Sequence, residues 1–230
     1  MPNKTVNQGN SEPVSQTLDR GLRLLEAIAD APEPVTTGQV AAMVGLHRSV
    51  AYRLLRTLED HRLVRREPGD RFAPGYRLAT LARRAVNDLA TAATGELQAL
   101  AQAVDLAAFV MVREGDEAIT VLVAEPTTPG TWFTQRVGSQ HPIGRGAPGA
   151  AIASLEPPGP ADRAAVRQAR ELGWTISSGE VFEGVTSVAA PLPGYRTPAA
   201  VAVTFVGDLS PQELGPRIAA TSARIARRLG

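Results

Sequence analysis

Between Val35 and Arg66 the chain reads VTTGQVAAMVGLHRSVAYRLLRTLEDHRLVRR, an order of signals that dictates two short helices joined by a tight turn. Thr36-Thr37-Gly38-Gln39 spells a capping box, in which the Thr36 hydroxyl accepts from the Gln39 amide and the Gln39 side chain reaches back. Val35 before the cap and Val40 inside the helix are placed for a hydrophobic staple. This predicts a helix over about 37 to 44, stopped by Gly45, which tolerates positive φ. Leu46 is the apolar residue of the turn. The next helix, Ser49 to Asp60, gathers Val50, Ala51, Leu54, Leu55 and Leu58 on one face. Arg48, Ser49, Tyr52, Arg53 and Arg56 fall on the other, with no acid until the last turn. Leu63–Arg66 and Arg71–Pro74 then read as strands around Pro68-Gly69-Asp70. Helix, turn, basic helix and hairpin together are the layout of a winged helix-turn-helix module for the major groove.

The chain has 230 residues and net charge +1, enough for one large or two small domains. Charge is uneven: residues 1–90 hold 13 Lys and Arg against 10 acids, and residues 91–230 hold 11 against 13. The excess is modest; its placement on one helix face carries the argument. Cysteine is absent, which excludes a disulfide framework, a thiol nucleophile and Cys-based metal sites. No apolar run suits a membrane span, and residues 1–14 form a polar segment without a signal-peptide core, expected to be a disordered tail. A cytoplasmic protein is therefore expected. No nucleophile–base–orienter set, P-loop or H-E-x-x-H is present, so the expectation is no enzyme, no cofactor and no metal.

Ser15 to Asp30 reads as an amphipathic helix with Leu18, Leu22, Leu25 and Ile28 inward, ended by Pro32 and Pro34. Gly75 to about Ala93 reads as a connecting helix with a stripe of Leu78, Leu81, Ala82, Ala85 and Leu89; a separate helix follows from Gly95 to Val104. AAFVMVRE and AITVLVAEP are strands of a hairpin turning at Glu114–Glu117, and TWFTQRV is a third strand. Helices are expected at Gly146–Leu155 and Ala161–Leu172, and strands at WTIS, VTSVAAPL and AAVAVTFVG. Ser210-Pro211-Gln212-Glu213 is a capping box opening a last helix, broken near Pro216. The pattern is α+β with a mainly antiparallel sheet.

The N-terminal region resembles the IclR-type transcriptional regulators through TLDRGLRLLEAIADAPEPVTTGQVAAMVGLHRSVAYRLLRTLEDHRLVRR and the RLATLARRA helix. The C-terminal half is similar to that family's effector-binding domain through HPIGRGAPGAAIAS, ELGWTISSGEVFEGVTSVAAPL and AVAVTFVG. The resemblance implies a winged helix-turn-helix domain at 15–75, a linker helix at 76–93 and a GAF-like effector-binding domain at 94–230. It implies double-stranded operator DNA as one partner, a small metabolite such as an aromatic or organic acid as another, and a homodimer or dimer of dimers. Carried onto this chain, its pocket positions fall on Gly146, Ala147, Pro148, Ser177, Ser187 and Thr204. Gly144, Ala150 and Ser177 stand where the family often has His, Lys and an acid, which implies a less charged pocket. Arg62 stands where a glycine often ends the recognition helix, in a turn that favours positive φ.

The DNA-contact candidates are Gln39, His47, Arg48, Ser49, Tyr52, Arg53, Arg56 and Arg71. An arginine either reads guanine bidentately or clamps phosphate, and the spacing does not choose between these. Tyr52 contacts a phosphate, contacts a thymine methyl, or merely covers the helix; His47 caps or touches phosphate. GRGAPG matches G-x-G-x-x-G, but Pro142 and Pro148 deny it the strand-to-helix context of a dinucleotide site. Its amides at a helix start suit a polar ligand group instead. Two rival functions remain: an enzyme with an appended DNA module, and a DNA-binding protein whose C-terminal domain only assembles subunits.

Overall fold

The computed structural model describes residues 15–128 and 135–230. The chain divides into two compact units after Ala85. The first unit opens with α1 (Gln16–Asp30), β1 (Val35–Thr36), α2 (Thr37–Met43) and α3 (Arg48–Asp60). β2 (Val64–Glu67) and β3 (Arg71–Pro74) follow, and α4 (Arg77–Val104) begins there and continues into the second unit. The wing is a three-stranded antiparallel sheet in the order β1-β3-β2. β1 was not expected; two residues are too few to leave a periodic signal. The capping box of α2 forms as read, Gly45 adopts φ +69, and Leu46 is half-buried. The core holds Leu24, Ile28, Val35, Val40, Ala51, Leu55, Leu58, Val64 and Phe72.

The inward face of α1 differs from expectation. Leu18 is 62% and Leu22 46% exposed, while Gly21, Leu24 and Ile28 are buried and Leu25 is half-buried. The helix carries two apolar stripes, and the one containing Gly21, Leu24 and Ile28 faces inward, packed against α3. A Cβ built on Gly21 lies 3.9 Å from Leu54.

The second unit comprises the rest of α4, β4 (Ala108–Glu114), β5 (Glu117–Ala124), β6 (Gln140–Pro142), α5 (Gly146–Ala153) and α6 (Ala164–Leu172). It ends with β7 (Thr175–Ser178), β8 (Thr186–Leu192), β9 (Ala199–Phe205) and α7 (Pro211–Leu229). Its sheet has six strands in the order β6-β5-β4-β9-β8-β7, all antiparallel. One face buries Leu89, Leu97, Leu100, Val188, Val201, Ile218 and Ile225, from α4, the sheet and α7. The other buries Phe109, Met111, Ala147, Ala151, Ile152, Ala189, Ala200 and Ala202, where alanines let α5 sit close to the strands. Gly149 completes that approach: a Cβ there would lie 2.3 Å from the Ile143 carbonyl oxygen.

Five readings of local sequence are corrected. The two helices expected on either side of Thr94 are one, because Ala92, Ala93, Leu97 and Leu100 bury a continuous stripe that outweighs the cost of Gly95. Of the connecting stripe, Leu89 is fully buried in the second unit whereas Leu81 is 49% exposed. Pro216 does not break α7, which is held by Leu214, Ile218 and Ile225 in the core. Ser210 caps α7 without a side-chain bond to the helix amides, so its box does not close. Of TWFTQRV, residues 131–134 lie outside the described residues and Gln135–Val137 are not strand; the strand beside β5 is β6. The expected tail, 1–14, also lies outside.

Candidate functional sites: a basic groove and an enclosed cavity

In the first unit a groove of about 750 Å³ runs between the start of α2, the exposed face of α3 and the wing tip. Its walls include His47, Arg48, Ser49, Tyr52, Arg53, Arg66 and Gly69. His47 is the N-cap of α3, and its Nδ1 accepts from the Ser49 amide at 3.4 Å and meets the Ser49 hydroxyl at 2.8 Å. An accepting Nδ1 leaves the proton on Nε2 in the neutral ring, so an N–H donor remains. Gln39 uses its carboxamide oxygen in the α2 cap, accepting from Thr36 N at 2.8 Å, which leaves its NH2 group.

Arg48, Arg53 and Arg56 are exposed along α3, and Tyr52 is 44% exposed between them. A side-chain hydrogen bond with Tyr52, then the charges of Asp60 and Glu59, hold the Arg56 guanidinium protonated beyond its ordinary range. Arg71 is partly engaged: its Nη1 donates to the Pro34 carbonyl at 3.0 Å, tying β3 to the segment before β1. Arg66 was not anticipated. Its guanidinium pairs with Glu59 at 3.3 Å and Asp70 at 2.7 Å, which raises its pKa and fixes it beside the wing tip. No sequence signal separated it from Arg65, because the pairing with Glu59 spans two elements. A neighbouring groove of the same unit is lined by Arg62, Arg65, Arg77 and Arg84 with Tyr76. Arg62 has φ +59, a strained value for a residue with a Cβ.

In the second unit the residues expected to hold a metabolite gather around the start of α5, and several are already engaged with one another. Gly146 N donates to Glu180 Oε2 at 2.9 Å, and Ala147 N donates to Ser177 Oγ at 2.7 Å. Arg163 pairs with Glu180 at 2.5 Å and donates to the Gly144 carbonyl at 2.6 Å. Arg145 donates to the Glu180 carbonyl oxygen. Gly146 needs glycine for its φ of +73, and Gly149 needs it for packing. Two of the three glycines of GRGAPG are thus explained without a dinucleotide.

Beside this network lies a cavity of about 10 Å³, room for about one water. Pro148, Ser177 and Ser187 line it, with Phe109, Gln135, His141, Glu180, Val181, Phe182 and Val185. Thr204 is buried opposite Ser187 on β9 and is not in the lining. Ala147 faces the alanine-rich core. Sequence reading missed His141 and Glu180, which lie 39 residues apart with nothing local to join them. No cluster of ligands suited to a metal ion occurs among the described residues. No helix there is long and apolar enough to cross a membrane.

Residues 17–68 match the family model described as the IclR helix-turn-helix domain. The chain is 27% identical over 217 residues to the glycerol operon regulatory protein of Streptomyces griseus, covering 84% of this chain and 85% of that protein. It is 32% identical over 133 residues to the DNA-binding transcriptional repressor YiaJ of Escherichia coli (strain K12), covering 55% of this chain and 46% of that protein. Among solved structures, an IclR homolog from Microbacterium hydrocarbonoxydans complexed with 4-hydroxybenzoate superposes with TM-score 0.80 at 17% identity, covering 93% and 98% of the two chains. The IclR-type regulator of Alicyclobacillus acidocaldarius superposes with TM-score 0.79 at 21% identity, covering 95% and 100%.

Proposed function

The chain belongs to the IclR family of DNA-binding transcriptional regulators, and on that premise we propose that it is a ligand-responsive regulator. A small, largely apolar or aromatic metabolite taken up beside α5 alters operator binding by the N-terminal unit. Residues 15–75 serve as the DNA-binding domain, 76–93 as the linker and 94–230 as the effector-binding domain. Arg48, Arg53, Arg56 and Tyr52 meet the operator, with Nε2–H of His47 and the NH2 of Gln39 placed as further donors. Arg71 contributes from the wing with the nitrogens that Pro34 leaves over. The effector positions are Pro148, Ser177 and Ser187 at the cavity, with Gly146, Ala147 and Thr204 behind them. The functional unit is a homodimer or dimer of dimers in the cytoplasm, each dimer facing two half-sites on one side of the duplex. No step calls for catalysis or a cofactor.

The observation that carries this reading is the enclosed cavity lined by Ser177, Ser187 and His141 on a fold that binds 4-hydroxybenzoate in a distant homolog. Ligand bound there shifts DNA affinity only by its differential affinity for two arrangements of the protein. The test is operator release in a screen of small aromatics and organic acids, repeated with Ser187→Phe, which fills the cavity from a half-buried position. Ligand-dependent release that Ser187→Phe abolishes while DNA binding persists supports the reading. Release that survives the substitution rejects this cavity. One observation favours a second reading, in which the C-terminal unit only assembles subunits: the cavity as it stands holds about one water. No ligand-dependent release anywhere in the screen would favour it.

A further inference from the structure

Arg66 stands between the two walls of the basic groove. One wall is α3, with Arg48, Tyr52 and Arg53, and the other is the wing tip at Gly69 and Asp70. The guanidinium spans them. Its Nε and Nη2 donate to the two carboxylate oxygens of Glu59, each at 3.3 Å, and its Nη1 donates to Asp70 at 2.7 Å. All three nitrogens of the fork are used, an arrangement that a planar guanidinium can make and a point-charge ammonium cannot. The same group lies over the Phe72 ring, 5.0 Å from its centroid, and Phe72 is buried in the core of the unit.

An isolated exposed ion pair contributes little, whereas charges joined in a network contribute more. This network has a mechanical consequence. Glu59 belongs to the last turn of α3, and Asp70 sits in the wing turn at φ +55, a costly value for a residue with a Cβ. Arg71, the next residue, is tied to the Pro34 carbonyl on the other side of the hairpin. The wing is thus held from both sides, and among the described residues no other ion pair joins it to α3. A duplex that meets α3 and the wing together requires one spacing between them, and a spacing set before binding costs no ordering when DNA arrives.

We propose that Arg66 is a positioning residue for operator binding: by clasping Glu59 and Asp70 it fixes the wing tip relative to α3, and it does not itself contact the duplex. This rests on DNA binding by α3 and the wing and is independent of any metabolite.

The probe is a duplex selected by the full-length protein from a random-sequence pool. Anisotropy titrations compare wild type, Arg66→Gln, the double variant Glu59→Gln with Asp70→Asn, and all three changes together. Arg66→Gln is expected to weaken binding roughly fivefold. The double variant is expected to weaken it to a similar extent, although two acids have been removed from beside a polyanion. The triple variant binds no more weakly than either, because the three groups act as one unit. Hydroxyl-radical footprints of Arg66→Gln at saturating protein keep the protection made by α3 and lose that made by the wing, which general destabilisation would not separate. Unchanged affinity in Arg66→Gln overturns the proposal. So does tighter binding by the double variant, or an equal loss from Arg66→Gln with and without the two acids, either of which makes Arg66 a phosphate contact. A wild-type footprint without wing protection overturns it as well. If Arg66→Gln fails to fold, the double variant still decides by the sign of its effect. Failure of the recognition-helix reading shows separately, as wild-type affinity in Arg53→Ala and Arg56→Ala.

Discussion

Arg53 and Arg56 are exposed on α3, so their removal changes what the protein meets and leaves its core intact. Arg53→Ala and Arg56→Ala should each weaken operator binding while stability stays within about 0.5 kcal/mol. Where the arginine clamps phosphate, the slope of log affinity against log salt falls by about 0.9; where it reads a base, specificity falls instead. Anisotropy titrations at several salt concentrations separate the two, and wild-type affinity in both variants would remove α3 as the recognition helix. Arg62 is the opposite case. Its backbone pays for a Cβ at φ +59, so Arg62→Gly should stabilise the first unit by up to about 1 kcal/mol. Urea unfolding checks it, and a lower midpoint would mean that the side chain does more than the turn costs. Glu96 is set by its partners: Arg224 at 2.6 Å, then Arg228 at 2.7 Å, hold its carboxyl below the ordinary carboxylate range. Its stabilising contribution is complete above the unfolded-state value of about 4.3 and is lost as pH falls through the lower folded value. Glu96→Ala should therefore lower the melting temperature at neutral pH and matter progressively less in acid; an equal deficit at all pH would show that packing, not charge, joins α4 to α7.

At the scale of elements, α5 is placed by close approach. A Cβ on Gly149 would lie 2.3 Å from the Ile143 carbonyl oxygen, so Gly149→Ala must move α5 or the turn that follows β6. Overpacking of this kind costs about 1–3 kcal/mol, read as a lower denaturation midpoint. Because α5 carries Pro148 into the cavity wall and presents the amides that hold Glu180 and Ser177, the same substitution should disturb ligand response more than DNA binding. Unchanged stability would mean that the helix yields freely. The α2–α3 pair depends instead on its own caps, Thr36 with Gln39 and His47 with Ser49, which lie within three residues of one another.

At the scale of the whole molecule, the proposed dimer needs a surface, and the exposed apolar residues of the first unit are the ones to test. Leu18 and Leu22 on α1 and Leu81 on α4 are between 46% and 62% exposed. Leu22→Asp with Leu81→Asp should shift an oligomer toward monomer in light scattering without unfolding it. Leu89→Asp, by contrast, should unfold the second unit, because Leu89 is fully buried there. A wild-type monomer at micromolar concentration would contradict the assembly.

The sequence by itself determined the helix-turn-helix, because its signals act between near neighbours: a hydroxyl and an amide three residues apart, a glycine with positive φ, and an apolar stripe at helical spacing. It determined five of the six strands of the second unit, all but β6, and their antiparallel character for the same reason, since alternation and hairpin turns are local. Only the tertiary structure decided which of two apolar stripes on α1 turns inward, and that α4 runs through Gly95 as one helix. Only the tertiary structure, too, brought Glu180 and Ser177 onto the amides of α5 and set His141 in the wall beside them. Those outcomes depend on burial and charge pairing between segments far apart in the chain, which no local pattern encodes.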